Sequence, residues 1–130
     1  MTQISLRPRR VVAKLQELLA EHGQPIQGAH VHVVGVAYKP GVADVRESPA
    51  LEIISECLAA GADVTYTDRH VPQLNIGDRT LSSVAGPHVA ADAVLVHTRH
   101  PDADLAWVAG HEVVLDATLR LDDVPQSVPL

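Results

Sequence analysis

Residues 35–49 read Gly35-Val36-Ala37-Tyr38-Lys39-Pro40-Gly41-Val42-Ala43-Asp44-Val45-Arg46-Glu47-Ser48-Pro49. The run follows an apolar segment, His30-Val31-His32-Val33-Val34, and closes on Ser48-Pro49. Ser48 is a good N-cap, and proline suits the first helical position because its missing N–H is not needed there. Strand, loop and helix start, in that order, make the first half of a β-α-β unit. Two fixed cations, Lys39 and Arg46, stand in the loop. A strand end beside a helix N-terminus is where α/β proteins hold anions, since backbone donors and the helix dipole both face that point.

Upstream, Pro8 opens a helical pattern in which Val11, Val12, Leu15, Leu18 and Leu19 recur at helical spacing. Gly23 is placed to cap it and Pro25 blocks its continuation. The first strand is expected over residues 29–36. Downstream, Leu51, Ile54 and Leu58, widened by Ile53 and Cys57, give the second helix an apolar stripe that Gly61 ends. Residues 62–67 read as a second strand closing on Asp68, residues 93–98 as a third, 103–108 as a short helix and 112–116 as a fourth strand. The stretch 69–91, with Pro72, Gly77, Gly86 and Pro87, predicts at most one short element near Leu81–Val84. The tail from Leu121, with Pro125 and Pro129, reads as irregular.

Near-continuous apolar strands alternating with helices imply a mainly parallel sheet of four or five strands covered on both faces. The fold class is therefore α/β, a single Rossmann-like three-layer domain. Ligands of such sheets bind outside the carboxyl ends of the strands. Here those ends carry Tyr38 and Lys39, Asp68, Thr98 and Arg99, and Asp116.

Composition narrows the function. A chain of 130 residues with 46% apolar content fits one globular domain. A net charge of −6 and the near absence of aromatic side chains exclude a nucleic-acid backbone or stacked bases as partner. The clustered Arg7, Arg9, Arg10 and Lys14 read as a solvated helix face. No run reaches the roughly 18 apolar residues of a membrane span, and the N-terminus lacks the apolar core of a secretion signal. One cysteine makes no internal disulfide, so a reducing cytoplasm is expected.

The loop motif, Gly35-Val36-Ala37-Tyr38-Lys39-Pro40 with Asp44-Val45-Arg46-Glu47-Ser48-Pro49, resembles the C-terminal, UDP-binding domain of the nucleotide-sugar 6-dehydrogenases. That family oxidises UDP-glucose, UDP-N-acetylhexosamines or GDP-mannose. The resemblance extends over residues 8–120: Pro8 to Gly23 is similar to the end of the family's long connecting helix, Gly61 to Asp68 to its second strand, and Ala91-Asp92-Ala93-Val94 with Trp107 to the segment around its third. Ala37-Tyr38-Lys39-Pro40 and His100 lean toward the UDP-N-acetylhexosamine branch. The resemblance divides the chain into a connecting-helix segment, 1–24, and a UDP-binding domain, 25–130.

By the same resemblance, Tyr38 and Lys39 contact the UDP-sugar and Arg46 approaches NAD bound by another domain. The complete enzymes use two NAD-dependent steps, through a Cys-bound thiohemiacetal and thioester, in nucleotide-sugar chemistry that serves polysaccharide biosynthesis. This sequence holds neither the Gly-x-Gly-x-x-Gly of a dinucleotide domain nor a cysteine outside its second helix. The chain alone is thus expected to be inactive as a dehydrogenase and to hold no cofactor itself. The expected partners are UDP or a UDP-sugar, with a catalytic-domain partner or a second copy of the chain. Three departures stand out. Ala43-Asp44 replaces an acidic pair, Arg69 follows Asp68 where proline is usual, and Thr118 occupies the place of a substrate-binding arginine, with Arg120 two residues on. The chain opens with Met1 and ends Pro-rich, so a free-standing accessory or interaction protein is the alternative. In that reading the Val11–Leu19 stripe is open to self-association.

Other candidates read as structural. Cys57 lies on the apolar side of its helix with no basic residue at helical spacing, so a buried, inert thiol is expected. Asp68 and Asp116 end strands and are expected to fix loops or bind a hydroxyl; with Asp44 and Glu47, they lack a partner that would raise a carboxyl pKa for general-base work. Eight histidines include His30 and His32 on one strand face and His97 and His100 at a strand end, but no spacing matches a zinc site. No metal and no catalytic residue are expected.

Overall fold

The structure, a computed structural model, describes residues 8–37, 48–84, 91–98, 100, 106–111, 113–116 and 127–129. Helix α1, Pro8–Glu21, buries Val11, Leu15 and Leu19 completely and Val12 and Leu18 nearly so. It packs against helix α2, Pro49–Ala59, whose Ala50, Ile53, Ile54 and Cys57 form the facing stripe. The apolar stripe of α1 is therefore spent inside the chain and is not left open for self-association. Among the described residues the one exposed large apolar side chain is Val84.

Five strands form one sheet: β1 His30–Val34, β2 Asp63–Thr67, β5 Ala93–Val96, β6 Val114–Asp116 and β7 Ser127–Pro129, in the order β2-β1-β5-β6-β7. Every neighbouring pair is parallel. The chain steps outward from β1 to β2, then crosses back over β1 to β5. This reversal lies between β1 and β5, and a crevice opens at such a point because the two connections leave in opposite directions.

Side chains alternate across the sheet. Val31, Val33, Val64, Tyr66, Ala93, Leu95 and Leu115 face the two helices. Val34, Val94, Val96 and Val114 face the other way, against Val108 and Trp107 of a 3-10 turn, Ala106–Gly110. These two coverings and the sheet between them are the three layers expected.

Two parts of the chain differ from the sequence reading. The stretch 69–91 holds a hairpin, β3 Gln73–Ile76 and β4 Arg79–Ser82, turning at Gly77-Asp78 with Gly77 at φ 61. Each strand has few apolar residues, so no continuous run marks it. The hairpin and the segment after it close the free edge of β2: the Val84 N–H donates to the Tyr66 carbonyl at 2.9 Å, and the Tyr66 hydroxyl donates to the Val71 carbonyl at 2.8 Å. The tail is the second difference. Residues Ser127–Pro129 are the outermost strand, where proline is tolerated because an edge leaves half the backbone groups unpaired. Of the short helix expected at 103–108, residues 103–105 lie outside the described residues and 106–108 belong to the 3-10 turn at Ala106–Gly110. No helix among the described residues is long and apolar enough to cross a membrane.

Candidate functional site

The carboxyl ends of β1, β2 and β5 meet at the root of the motif loop. Gly35 leaves β1 at φ 77, and its N–H donates to the Thr67 carbonyl at 2.9 Å. A β-carbon on Gly35 would lie 1.8 Å from the Thr98 carbonyl oxygen. Both the left-handed backbone and the missing side chain are thus required, because β5's end passes directly over it.

The next two residues are held by an aspartate from the neighbouring strand. Asp68 is 2% exposed, and its Oδ2 accepts from the Val36 N–H at 2.9 Å and the Ala37 N–H at 3.3 Å. The same oxygen accepts from Nε2 of buried His100 at 2.9 Å, while Oδ1 accepts from the His70 N–H. The rings of His70 and His100 meet at a 51° tilt with centroids 4.4 Å apart. A buried carboxylate is costly unless its lone pairs are filled, and here four donors fill them.

On the opposite side, the Thr98 hydroxyl donates to the Ala37 carbonyl at 2.8 Å. That hydroxyl has one hydrogen, so its contact with His97 Nδ1, at 2.8 Å, must be donated by the ring. Burial lowers the His97 pKa to about 4, with the Gly35 backbone and the charge of Asp68 pulling the other way. The ring is therefore neutral with its proton on Nδ1, and its buried Nε2 has no hydrogen-bond partner.

The far root of the loop is Ser48, which caps α2. Its Oγ accepts from the Ala50 N–H at 3.3 Å. Pro49 has no N–H, and Leu51 N–H donates to the Ser48 carbonyl at 3.4 Å. The first turn thus consumes its own leading donors, and exposed Glu52 adds a negative charge. The helix start alone makes a poor anion cradle. Tyr38, Lys39 and Arg46 lie outside the described residues, as do Ala43, Asp44, Glu47, Arg99, Thr118 and Arg120. Arg69, the departure after Asp68, is exposed and leaves the Asp68 bonds in place.

Cys57 is fully buried, and burial raises its pKa to about 11. The thiol stays protonated and is not a nucleophile. His30 and His32 belong to a closed hydrogen-bonded row across β1 and β2. Thr67 donates to the Val84 carbonyl, so His32 Nε2 donates to Thr67 at 2.7 Å. His32 is then neutral, its Nδ1 accepts from Thr65, and Thr65 accepts from His30 Nε2, each at 2.7 Å. Burial lowers the His32 pKa to about 4, helped by His30 and His111. No group of three or more metal-ligating side chains forms among the described residues.

Asp68, Thr98 and Asp116 stood at strand ends in the sequence. The grip of Asp68 and Thr98 on Val36 and Ala37 did not, because those partners are 31 to 61 residues apart. The signal that was available is a polar residue directly after each apolar run.

The family model for the UDP-glucose/GDP-mannose dehydrogenase family, UDP binding domain, matches residues 32–122. A UDP-glucose 6-dehydrogenase of Haloferax volcanii is 33% identical over 100 residues, 71% of this chain and 21% of that protein. A UDP-glucose dehydrogenase structure from Pyrobaculum islandicum superposes with a TM-score of 0.68 at 28% identity, over 94% of this chain and 28% of the other. A UDP-D-ManNAc dehydrogenase structure from Pyrococcus horikoshii does so with a TM-score of 0.69 at 25% identity, over 85% and 26%. This chain therefore spans about a fifth of the curated relative's length.

Proposed function

Because the chain belongs to the UDP-glucose/GDP-mannose dehydrogenase family and carries its UDP-binding domain, we propose that it binds UDP or a UDP-sugar over the carboxyl ends of β1 and β5. In this reading residues 1–24 are the connecting segment and 25–130 the binding domain. Lys39 supplies a point charge to a phosphate or sugar oxygen, and Tyr38 lies against the same ligand. Arg46, with its planar fork, can hold a phosphate bidentately and reaches toward a dinucleotide carried by another domain.

One observation carries the reading. The matched motif leaves β1 at the topological reversal of the sheet, where Asp68 and Thr98 hold Val36 and Ala37, and it ends at Ser48, the cap of α2. Two cations in a loop that leaves a strand end and enters a helix N-terminus suit a diphosphate.

The chain's own residues do not suit NAD. The connection after β1 has no Gly-x-Gly-x-x-Gly, and the bareness of Gly35 is used to admit the Thr98 carbonyl rather than a pyrophosphate. NAD belongs to this reading only through a complete enzyme, to which this chain contributes binding and orientation. Cys57, buried and protonated, is not suited to act as the nucleophile. The alternative, a non-catalytic accessory protein of the same descent, is favoured by Thr118 standing where the family has an arginine.

Calorimetric titration with UDP, UDP-glucose, UDP-N-acetylglucosamine and GDP-mannose tests the proposal. UDP and at least one UDP-sugar are expected to bind the wild-type chain, and Lys39→Ala to weaken them by roughly tenfold or more, the scale of a charge-assisted hydrogen bond. Equal binding by both proteins overturns the site. NADH production by the chain alone overturns its assignment as a binding domain only.

A further inference from the structure

We infer that Asp68 and Thr98 are positioning residues for the ligand loop, setting the direction in which the chain leaves β1 toward Lys39; the inference rests on the UDP-binding reading above. Ala37 is fully buried, and its two peptide groups are gripped from opposite sides. Its N–H, with that of Val36, donates to Asp68 at the end of β2, and its carbonyl accepts from Thr98 at the end of β5. The two grips come from the strands on either side of β1, so the loop's origin is tied to the whole strand rim. A peptide is planar, so fixing the direction of the Ala37 carbonyl fixes the direction of the next bond of the chain.

Each grip is itself oriented. The Thr98 hydroxyl donates to the Ala37 carbonyl at 2.8 Å while its oxygen also meets His97 Nδ1 at 2.8 Å. Asp68 is held by His100 Nε2 and the His70 N–H, and its environment is buried, so the carboxylate does not swing to water. Such doubly supported geometry exceeds what is needed to end a strand. It suits a loop whose side chains must meet a ligand within a fraction of an ångström, since displacements near 1 Å can cost on the order of 100-fold in a positioned interaction.

The test replaces Thr98 by valine, which keeps the shape and removes the hydroxyl, and by serine, which keeps the hydroxyl. UDP affinity is measured by calorimetry and folding by thermal melting, with Thr98→Ala standing in if the valine variant does not fold. The expected result is a wild-type chain that binds UDP, a valine variant that stays folded but binds roughly tenfold more weakly (about 1.4 kcal/mol), and a serine variant within about twofold of wild type. A folded valine or alanine variant that binds UDP as wild type does overturns the inference, as does a serine variant as weak as valine. A wild-type chain that takes up no UDP overturns the binding reading itself, and the inference falls with it.

Discussion

At the scale of single residues, the most constrained position is Gly35. Any side chain there meets the Thr98 backbone, which cannot yield without moving the end of β5, and the positive φ adds strain of its own. Gly35→Ala is expected to cost more than about 4 kcal/mol or to give no folded protein, which puts it among the rare severe substitutions; urea titration followed by circular dichroism measures it. The sequence marks this glycine as part of a motif but does not say why it is there. The reason lies 63 residues away, in a strand that has to be docked before the clash exists. The same holds for Asp68 and Thr98: their places at strand ends follow from the apolar runs before them, whereas their partners on Val36 and Ala37 follow only from the strand order. Tyr38, Lys39 and Arg46 are proposed from the motif alone and lie outside the described residues.

At the scale of elements, legibility followed the strength of the periodic signal. Helix α1 and strands β1, β2 and β5 carry clear apolar patterns, and they form where the pattern places them. The hairpin β3–β4 and the edge strand β7 do not, because each strand has only one or two apolar side chains, whereas the equally short β5 is apolar throughout. The Gly77-Asp78 pair was the turn signal for the hairpin. The pairing of α1 with α2 makes a measurable claim. Leu15 has no exposed surface in that interface, so Leu15→Ala is expected to destabilise the chain by about 2–5 kcal/mol. A shift in the urea midpoint at unchanged slope checks it.

At the scale of the whole molecule, the buried histidines shape how stability responds to acid. His32, beside His30 and His111, and His97, beside Asp68, each have a folded-state pKa of about 4 against an ordinary 6.5. The unfolded chain therefore binds more protons between those values. Stability is fully present above pH 6.5 and is lost as pH falls toward 4, by on the order of 3 kcal/mol for each histidine. Against a typical total of about 5–15 kcal/mol, two such losses are large. Urea midpoints at pH 7 and pH 4.5 are expected to differ accordingly, and a flat profile across that range would contradict the neutral assignments. The row from His30 through Thr65, His32 and Thr67 to the Val84 carbonyl also limits how this sheet can change in descent. Replacing Thr65 alone strands a ring nitrogen out of reach of water, whereas apolar residues at 30, 32, 65 and 67 together leave only the Val84 carbonyl, at the exposed end of the row where water can take the place of Thr67. Relatives should accordingly exchange these positions as a set, writing the patch wholly in polar letters or wholly in greasy ones.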